Sequence, residues 1–515
     1  MKTSENQLSV SSLESRSRML FVLAAVALAL CAVVYLIARD QAVIMLGLGV
    51  AAIIGYCLFR WREGATLLFV FILYANLAVV AVEFHGVPKV AAAAVSLILA
   101  LPLANYVFIQ RQRLIFDRTC LLMLIYLAAL VVSSLLVKDI KLALIELANF
   151  LIEGLILYFL MINVVRTLSM MKRVIWVLLM ACTLMGGLSL FQEVTHTYDN
   201  SYGGLAQRRD DLDMGKVNFD EFSGSRRAGG PTGTENRYAQ ILIVILPLAA
   251  WQAYNSPSRK AKLFAATAGA LTLSGIMLTF SRGTFVTLTL MVIIAMFLRY
   301  VRPSKVFGLG FALVLVVSIA MPEYITRVST VGGLSELFGK REQGSRELDG
   351  ALRGRFAENI GALNVFLDHP LVGVGPGQFG KFYSRTYGNE VGTKRLVSNR
   401  RAHSLYFEMA AETGVLGLAA FMTVALATMF RLWQARRQWL HIRPDLAHLA
   451  TAFLLSMIAY LGTAMFLHLA YQRYYWFLLA LAGAAIRIFR NEPMQEAPEP
   501  MAEERSNAAR YTALA

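Results

Sequence analysis

The sequence predicts an all-α polytopic membrane protein, and three observations predict it. Of its 515 residues, 57% are hydrophobic and 16% are charged, against about 25% charged residues in ordinary soluble domains. The apolar residues fall in many runs of roughly 20, each long enough to cross a bilayer as a helix. The connections between these runs alternate between rich and poor in Lys and Arg. A soluble chain of this length divides into several domains with polar surfaces, and this composition cannot supply them. Secreted, disordered and fibrous readings fall on the same ground. A formal net charge of +16 remains to be placed.

Residues 1–18 are polar and read as a cytoplasmic tail. The run 19–38 is too long for a signal-peptide core and lacks a small-residue cleavage site, so it is expected to be a retained first span. Six more spans follow over 41–59, 65–82, 90–109, 119–137, 142–164 and 173–192, completing an N-terminal set, 19–192. A loop occupies 193–236. Four spans lie within 237–321, at 237–254, 263–280, 284–299 and 305–321. A large loop, 322–402, contains a helix expected to end near Leu367. Three spans, 403–430, 447–469 and 473–489, fill 403–490, and a tail rich in Glu, Pro and Ala, 491–515, reads as disordered. The expected total is about 14 transmembrane helices (12–14). Lys and Arg follow alternate spans, for example Arg60 and Arg62, Arg111 and Arg113, Lys172 and Arg173, Arg299 and Arg302, and Arg436 and Arg437. The positive-inside rule then places both termini in the cytoplasm and both long loops on the outer side. Cys31, Cys57, Cys120 and Cys182 all sit in apolar runs, and none has metal-ligand spacing.

Loops this long concentrate function. The first ends in Arg226-Arg227-Ala-Gly-Gly-Pro-Thr-Gly-Thr-Glu-Asn236. Its glycines around Pro231 favour a tight turn with exposed backbone N–H groups, which beside guanidinium forks makes an anion cradle; a turn that only reverses the chain is the alternative. Ser281-Arg282-Gly283 joins two spans so briefly that Arg282 must lie at the membrane boundary, where a charge is functional or paired unless it snorkels to the interface. The second loop carries Gly354-Arg355 and ends in Gly373-Val-Gly-Pro-Gly-Gln-Phe379, a structured turn without the Lys-Ser/Thr of a nucleotide loop. Arg400-Arg401-Ala-His403 then opens span twelve. The helix N-terminus and the two arginines disfavour the imidazolium, so a neutral His403 suits a general base; a capping histidine is the alternative. Glu146, Asn149 and Glu153 share one face of span six and either line a cavity or hold a neighbouring helix. Arg473 sits in the last aromatic belt and reads as an interface residue or an anion contact.

In their order and common outer placement, Arg227-x-x-Gly230 with Asn236, Ser281-Arg282-Gly283, the stretch from Arg355 to Phe379, and His403 leading into Glu412-Thr-Gly414 resemble the O-antigen ligase and O-antigen polymerase superfamily over residues 222–430. The resemblance implies a GT-C-like membrane fold whose large periplasmic loop, itself containing helices, caps the site, in the bacterial inner membrane. It implies a glycosyltransferase that needs no cofactor, nucleotide or metal. The expected donor is a polyprenyl-diphosphate-linked glycan. The expected acceptor is lipid A core, another glycan or a protein hydroxyl. By the same resemblance His403 is the base and Arg282 a catalytic arginine, while Arg227, Arg282, Arg355, Asn236 and Arg401 bind the diphosphate or glycan. The family often has Asn after the histidine; here it is Ser404. Two rivals stand beside the ligase reading: a repeat-unit polymerase whose acceptor is a second lipid-linked glycan, and a transporter or flippase, which is expected to show inverted repeats. The arginines point to a polyanionic lipid-linked partner among membrane lipids, not to nucleic acid.

Overall fold

The computed structural model describes residues 55–89, 95–135, 137, 139–208, 227–301, 349–386, 401–468 and 472–493. The expected spans 19–38 and 305–321, most of 41–59, nearly all of both tails, and Arg226 and Arg400 lie outside the described residues. The chain divides into units 1–65 and 66–515. Of the first, only the helical stretch 55–60 and the start of the next helix are described; the second contains the site.

The protein is mostly helical. A bent pair opens it: α1 (Arg62–Tyr74) and α2 (Leu77–His85), turned by 58° at a break where Asn76 is left-handed. α3 (Ala100–Ala104) runs into a π turn, and α4 (Arg118–Ser134) is capped by Asp117. α5 (Ile140–Asn149) passes through a π turn, Phe150–Ile156, into α6 (Leu157–Val164). After α7 (Leu168–Val194), the strands β1 (Gln207–Arg208) and β2 (Ala228–Gly230) pair antiparallel, Gln207 opposite Gly230. The run expected as one span at 237–254 is two helices, α8 (Glu235–Ile243) and α9 (Leu246–Asn255). Pro247 stands in the first turn of the second, where its missing N–H is tolerated. α10 (Arg259–Met277) and α11 (Arg282–Phe297) follow. The second long loop supplies α12 (Asp349–Asp368), which ends one residue past the expected Leu367, and α13 (Phe379–Thr386). α14 (Leu405–Trp439), α15 (Pro444–Thr463) and α16 (Gln472–Asn491) close the fold.

Among the described residues, four helical stretches are long and apolar enough to cross a membrane: Ile140–Val164, Leu168–Val194, Leu405–Trp439 and Pro444–Phe466. Counting the bent pair makes five. The packing has a lipid-facing pattern. α4 buries Thr119, Met123, Tyr126, Ser133 and Ser134 while exposing Leu121, Leu124, Ile125 and Val132. Bilayer tails do not drive Leu and Ile inward, so small and polar residues take the helix interfaces. α7 and α10 cross closely: a Cβ on Gly275 would stand 2.9 Å from the Gly186 Cα. The centre is aromatic. Phe150, Phe421, Tyr475 and Trp476 are fully buried, and Phe150 and Trp476 stack edge to face at 5.0 Å.

Candidate functional site

The glycine turn is built against the α10–α11 corner. The Ala228 N–H donates to the Leu278 carbonyl at 2.9 Å, and the Thr232 hydroxyl to the Gly229 carbonyl at 2.9 Å. Asn76, at the break between α1 and α2, donates to the Pro231 carbonyl at 2.7 Å. These bonds hold Arg227, which stands just before β2. Its Nε donates to the Thr279 carbonyl at 2.9 Å, one terminal nitrogen contacts the Asn236 side-chain oxygen at 3.4 Å, and the other lies 3.8 Å from Glu235. Asn236 therefore acts on Arg227. Arg282 is the first residue of α11, at the positive end of that helix. The corner that anchors Arg227 therefore also presents Arg282.

α12 brings the third guanidinium. Arg355 lies in the field of Arg227, and Arg282 in the fields of Arg355 and Arg227. Burial first, and then the Arg227 cation, hold Arg355 below the ordinary guanidinium value, while Glu358 and Glu235 act the other way. Neither Arg282 nor Arg355 has an ion-pair or hydrogen-bond partner among the described residues. Converging cations, two of them without an ion-pair partner among the described residues, form a site of positive potential, which suits a polyanion.

His403 lies beside this group through a residue the sequence did not single out. Its Nε2 is 3.2 Å from Glu358 Oε2; the glutamate side chain is 7% exposed and the histidine 35%. Glu358 follows Arg355 by three residues, on the same face of α12. A small core of Ala362, Val365, Phe379, Ala402 and Ala411 ties α12 and α13 to the segment that carries His403. Ser404 is the N-cap of α14.

The turn from Leu371 to Phe379 docks on a break in α14. At Gly414 the backbone takes φ 63° and ψ −165°, outside the helix and open only to glycine. The interruption frees backbone groups on both sides. Val415 and Leu416 donate to the carbonyls of Pro370 and Leu371 at 2.8 and 3.2 Å, and Val374 and Gly375 donate to those of Ala411 and Glu412 at 3.0 and 2.8 Å. Ser133 of α4 clamps the joint, its hydroxyl lying 2.6 Å from the Val372 carbonyl and 2.9 Å from that of Glu412. Lys381 reaches Asp139 at 2.6 Å and, chiefly through that hydrogen bond, holds the Asp139 carboxyl below its usual range.

Arg401 is engaged elsewhere. It lies 3.4 Å from Glu146 and 3.8 Å from Glu408, beside a cavity of about 40 Å³ also lined by Glu412, Tyr126 and Phe150. Burial opposes its charge, but Glu408, Glu412 and Glu146 outweigh that and raise it above the ordinary value. Glu153 of the same stripe lies 3.6 Å from Arg473, which also donates to Asn76 at 2.6 Å. Both glutamates thus hold neighbouring segments. Of the residues singled out from sequence, the fold brings Arg227, Asn236, Arg282, Arg355 and His403 together and pairs Arg401 with carboxylates. Glu358 had one sequence signal, its place one turn beyond Arg355.

The family model described as O-Antigen ligase matches residues 267–422, less than a third of the chain. No curated protein matches the chain. Arg282, Arg355 and His403 fall inside the matched segment, while Arg227 and Asn236 precede it and reach the same place through the glycine turn. Residues 267–422 are thus similar to the O-Antigen ligase family, which supports the O-antigen ligase and polymerase superfamily for this part of the chain.

Proposed function

We propose that the protein is a glycosyltransferase acting on the periplasmic face of the bacterial inner membrane. It moves a glycan from a polyprenyl-diphosphate carrier to an acceptor hydroxyl. The observation that carries this reading is the convergence of Arg227, Arg282 and Arg355, two of them without a partner among the described residues, next to His403. The donor diphosphate lies against the three guanidinium groups and the first turn of α11. The acceptor oxygen attacks the anomeric carbon as its proton passes to His403. The bond from that carbon to the diphosphate oxygen breaks, and the departing diphosphate keeps the electron pair, its added charge stabilised by the arginines. A diphosphate leaves without an acid to protonate it, so the paired carboxylates of a glycoside hydrolase are not needed. Ligase and polymerase share this chemistry and differ in acceptor.

The test is purified full-length protein in detergent with a synthetic polyprenyl-diphosphate oligosaccharide, candidate acceptors, and neither nucleotide nor added metal. Transfer is expected, falling about 100- to 10,000-fold in His403→Ala and about 100-fold or more in Arg282→Ala. Undiminished transfer by His403→Ala removes the base. Movement of the lipid-linked glycan across liposomes with no new glycosidic bond favours a transporter instead.

A further inference from the structure

We propose that the cavity beside Arg401 is a sugar-hydroxyl subsite, in which the buried Oε2 of Glu408 bonds a hydroxyl of one sugar unit of the substrate glycan. The proposal rests on the reading of the protein as a glycan transferase and names a place where that glycan is recognised.

The cavity of about 40 Å³ is walled by Tyr126 and Phe150 and lined by Glu146, Glu408, Glu412 and Arg401. Three carboxyl groups there face one guanidinium. Arg401 lies 3.4 Å from Glu146 Oε1 and 3.8 Å from Glu408 Oε1. Glu412 is committed to the loop turn, accepting from the Phe379 N–H at 3.2 Å. Glu408 is left half satisfied: its side chain is 7% exposed, and Oε2 is buried with no hydrogen-bond partner. A buried polar atom without a partner is costly, and in a native fold it marks a place where a ligand or water completes the bonding. The lining selects the ligand. Carboxyl groups repel a phosphate, and among the described residues no group of His, Cys, Asp and Glu is disposed to hold a metal ion. A sugar hydroxyl both donates and accepts, so it satisfies Oε2 whether the carboxyl is ionised or protonated. Aromatic walls with a few placed polar groups suit the mixed surface of a sugar. One water needs roughly 10–15 Å³, so the cavity has room for about three hydroxyl-sized groups, and a sugar enters by its edge. Entry is at Arg401, whose side chain is 42% exposed. His403 stands between Arg401 and Glu408 in the chain. The arginine trio thus takes the charged part of the donor, and the carboxyl-lined cavity a neutral part of a glycan, on either side of the proposed base.

The experiment compares wild type, Glu408→Leu and Glu408→Asp, full length in detergent, with a synthetic polyprenyl-diphosphate oligosaccharide, an oligosaccharide acceptor and monodeoxy analogues of each. One analogue is expected to cost wild type about 10- to 100-fold in kcat/KM, the range for a hydrogen bond to a charged partner, and to cost Glu408→Leu less than about twofold. A donor analogue with this behaviour places the subsite on the lipid-linked glycan, and an acceptor analogue places it on the acceptor. Equal penalties for every analogue in both proteins overturn the proposal and leave the cavity to water alone. If Glu408→Leu does not fold, Glu408→Asp decides. It keeps the carboxyl and withdraws it by one methylene, so a reduced penalty for the same analogue supports the subsite and an unchanged one overturns it. Calorimetric binding of the same oligosaccharides is measured alongside. Discrimination in binding that Glu408→Leu abolishes, with no glycosidic bond formed by wild type, keeps the subsite and sinks the transferase reading. Transfer with equal penalties sinks the subsite alone, and neither binding nor transfer overturns both.

Discussion

Gly414→Ala tests the joint on which the loop is hung. A Cβ there would lie 2.3 Å from both the carbonyl carbon and the oxygen of Leu371, and 2.5 Å from the Val372 nitrogen. Ordinary carbon contacts lie at about 3.5–4.0 Å, so the turn must retreat by about 1 Å or the helix must rotate. The backbone angles alone cost about 1–3 kcal/mol in a residue with a side chain. Retreat breaks the two bonds that Val415 and Leu416 give to Pro370 and Leu371, each worth about 0.5–1.5 kcal/mol. Together the loss is about 2–6 kcal/mol, well above an average substitution. Thermal unfolding in detergent reads it as a fall of several degrees, with transfer activity falling in parallel because the turn and the His403 segment share one small core. Gly269→Ala is the control: its Cβ meets Ala249 at 3.5 Å, an ordinary contact, and mid-helix Ala is preferred to Gly by about 1 kcal/mol. A Gly414→Ala protein that melts and transfers like wild type would refute the idea that the break holds the turn.

The remaining predictions concern charge. Arg282→Gln and Arg355→Gln are expected to lose transfer while holding or raising the melting temperature, because each removes an unpaired cation from the field of its neighbours. A drop matching the usual destabilisation of about 1 kcal/mol in both variants would make them structural. Arg401→Ala is expected to lower stability by only about 1 kcal/mol, since its side chain is 42% exposed and its ion pairs are partly screened. Adding Glu408→Gln should restore most of that loss. A raised donor KM with unchanged melting would instead put Arg401 on the substrate.

Several parts of this site were legible because membrane chemistry makes charge rare. Arg282 stands out in a connection of a few residues between apolar runs, and His403 stands out at the start of one. Composition and run length sufficed for the helical membrane class. The breaks were harder to read. Residues 403–430 look like one apolar run, and Gly414 passes for a helical glycine until a second segment occupies the space its missing side chain leaves. The run 237–254 likewise hides the interruption before Pro247. Glu358 was hidden for another reason. A glutamate three residues after an arginine on a loop helix has the spacing of a local ion pair, yet its contact is with a histidine 45 positions later. Arg401 reads as an anion contact because two cations stand beside a histidine; the glutamates that engage it, from α5 and from the next turns of α14, are distant in sequence or hidden in an apolar run.

The distribution of carboxylates bears on whether the arginine trio is a site or an accident of packing. Acidic groups are present in the neighbourhood. Glu146 and Glu408 contact Arg401, Glu153 contacts Arg473, and Glu358 contacts His403. Among the described residues, Glu235 lies 3.8 Å from Arg227, and Glu358 and Glu235 both act on Arg355. A fold adjusted for stability alone would move one of these carboxylates between Arg282 and Arg355, where unmatched buried charge is costly. The chain instead neutralises the flanking cation Arg401 and leaves the trio positive. Arg227 comes from before the glycine turn, Arg282 from a helix start and Arg355 from a loop helix. Three unrelated segments would have to converge on the same unfavourable arrangement by chance. A ligand with at least two negative charges removes that cost when it binds, and the proposed lipid-linked diphosphate has that charge.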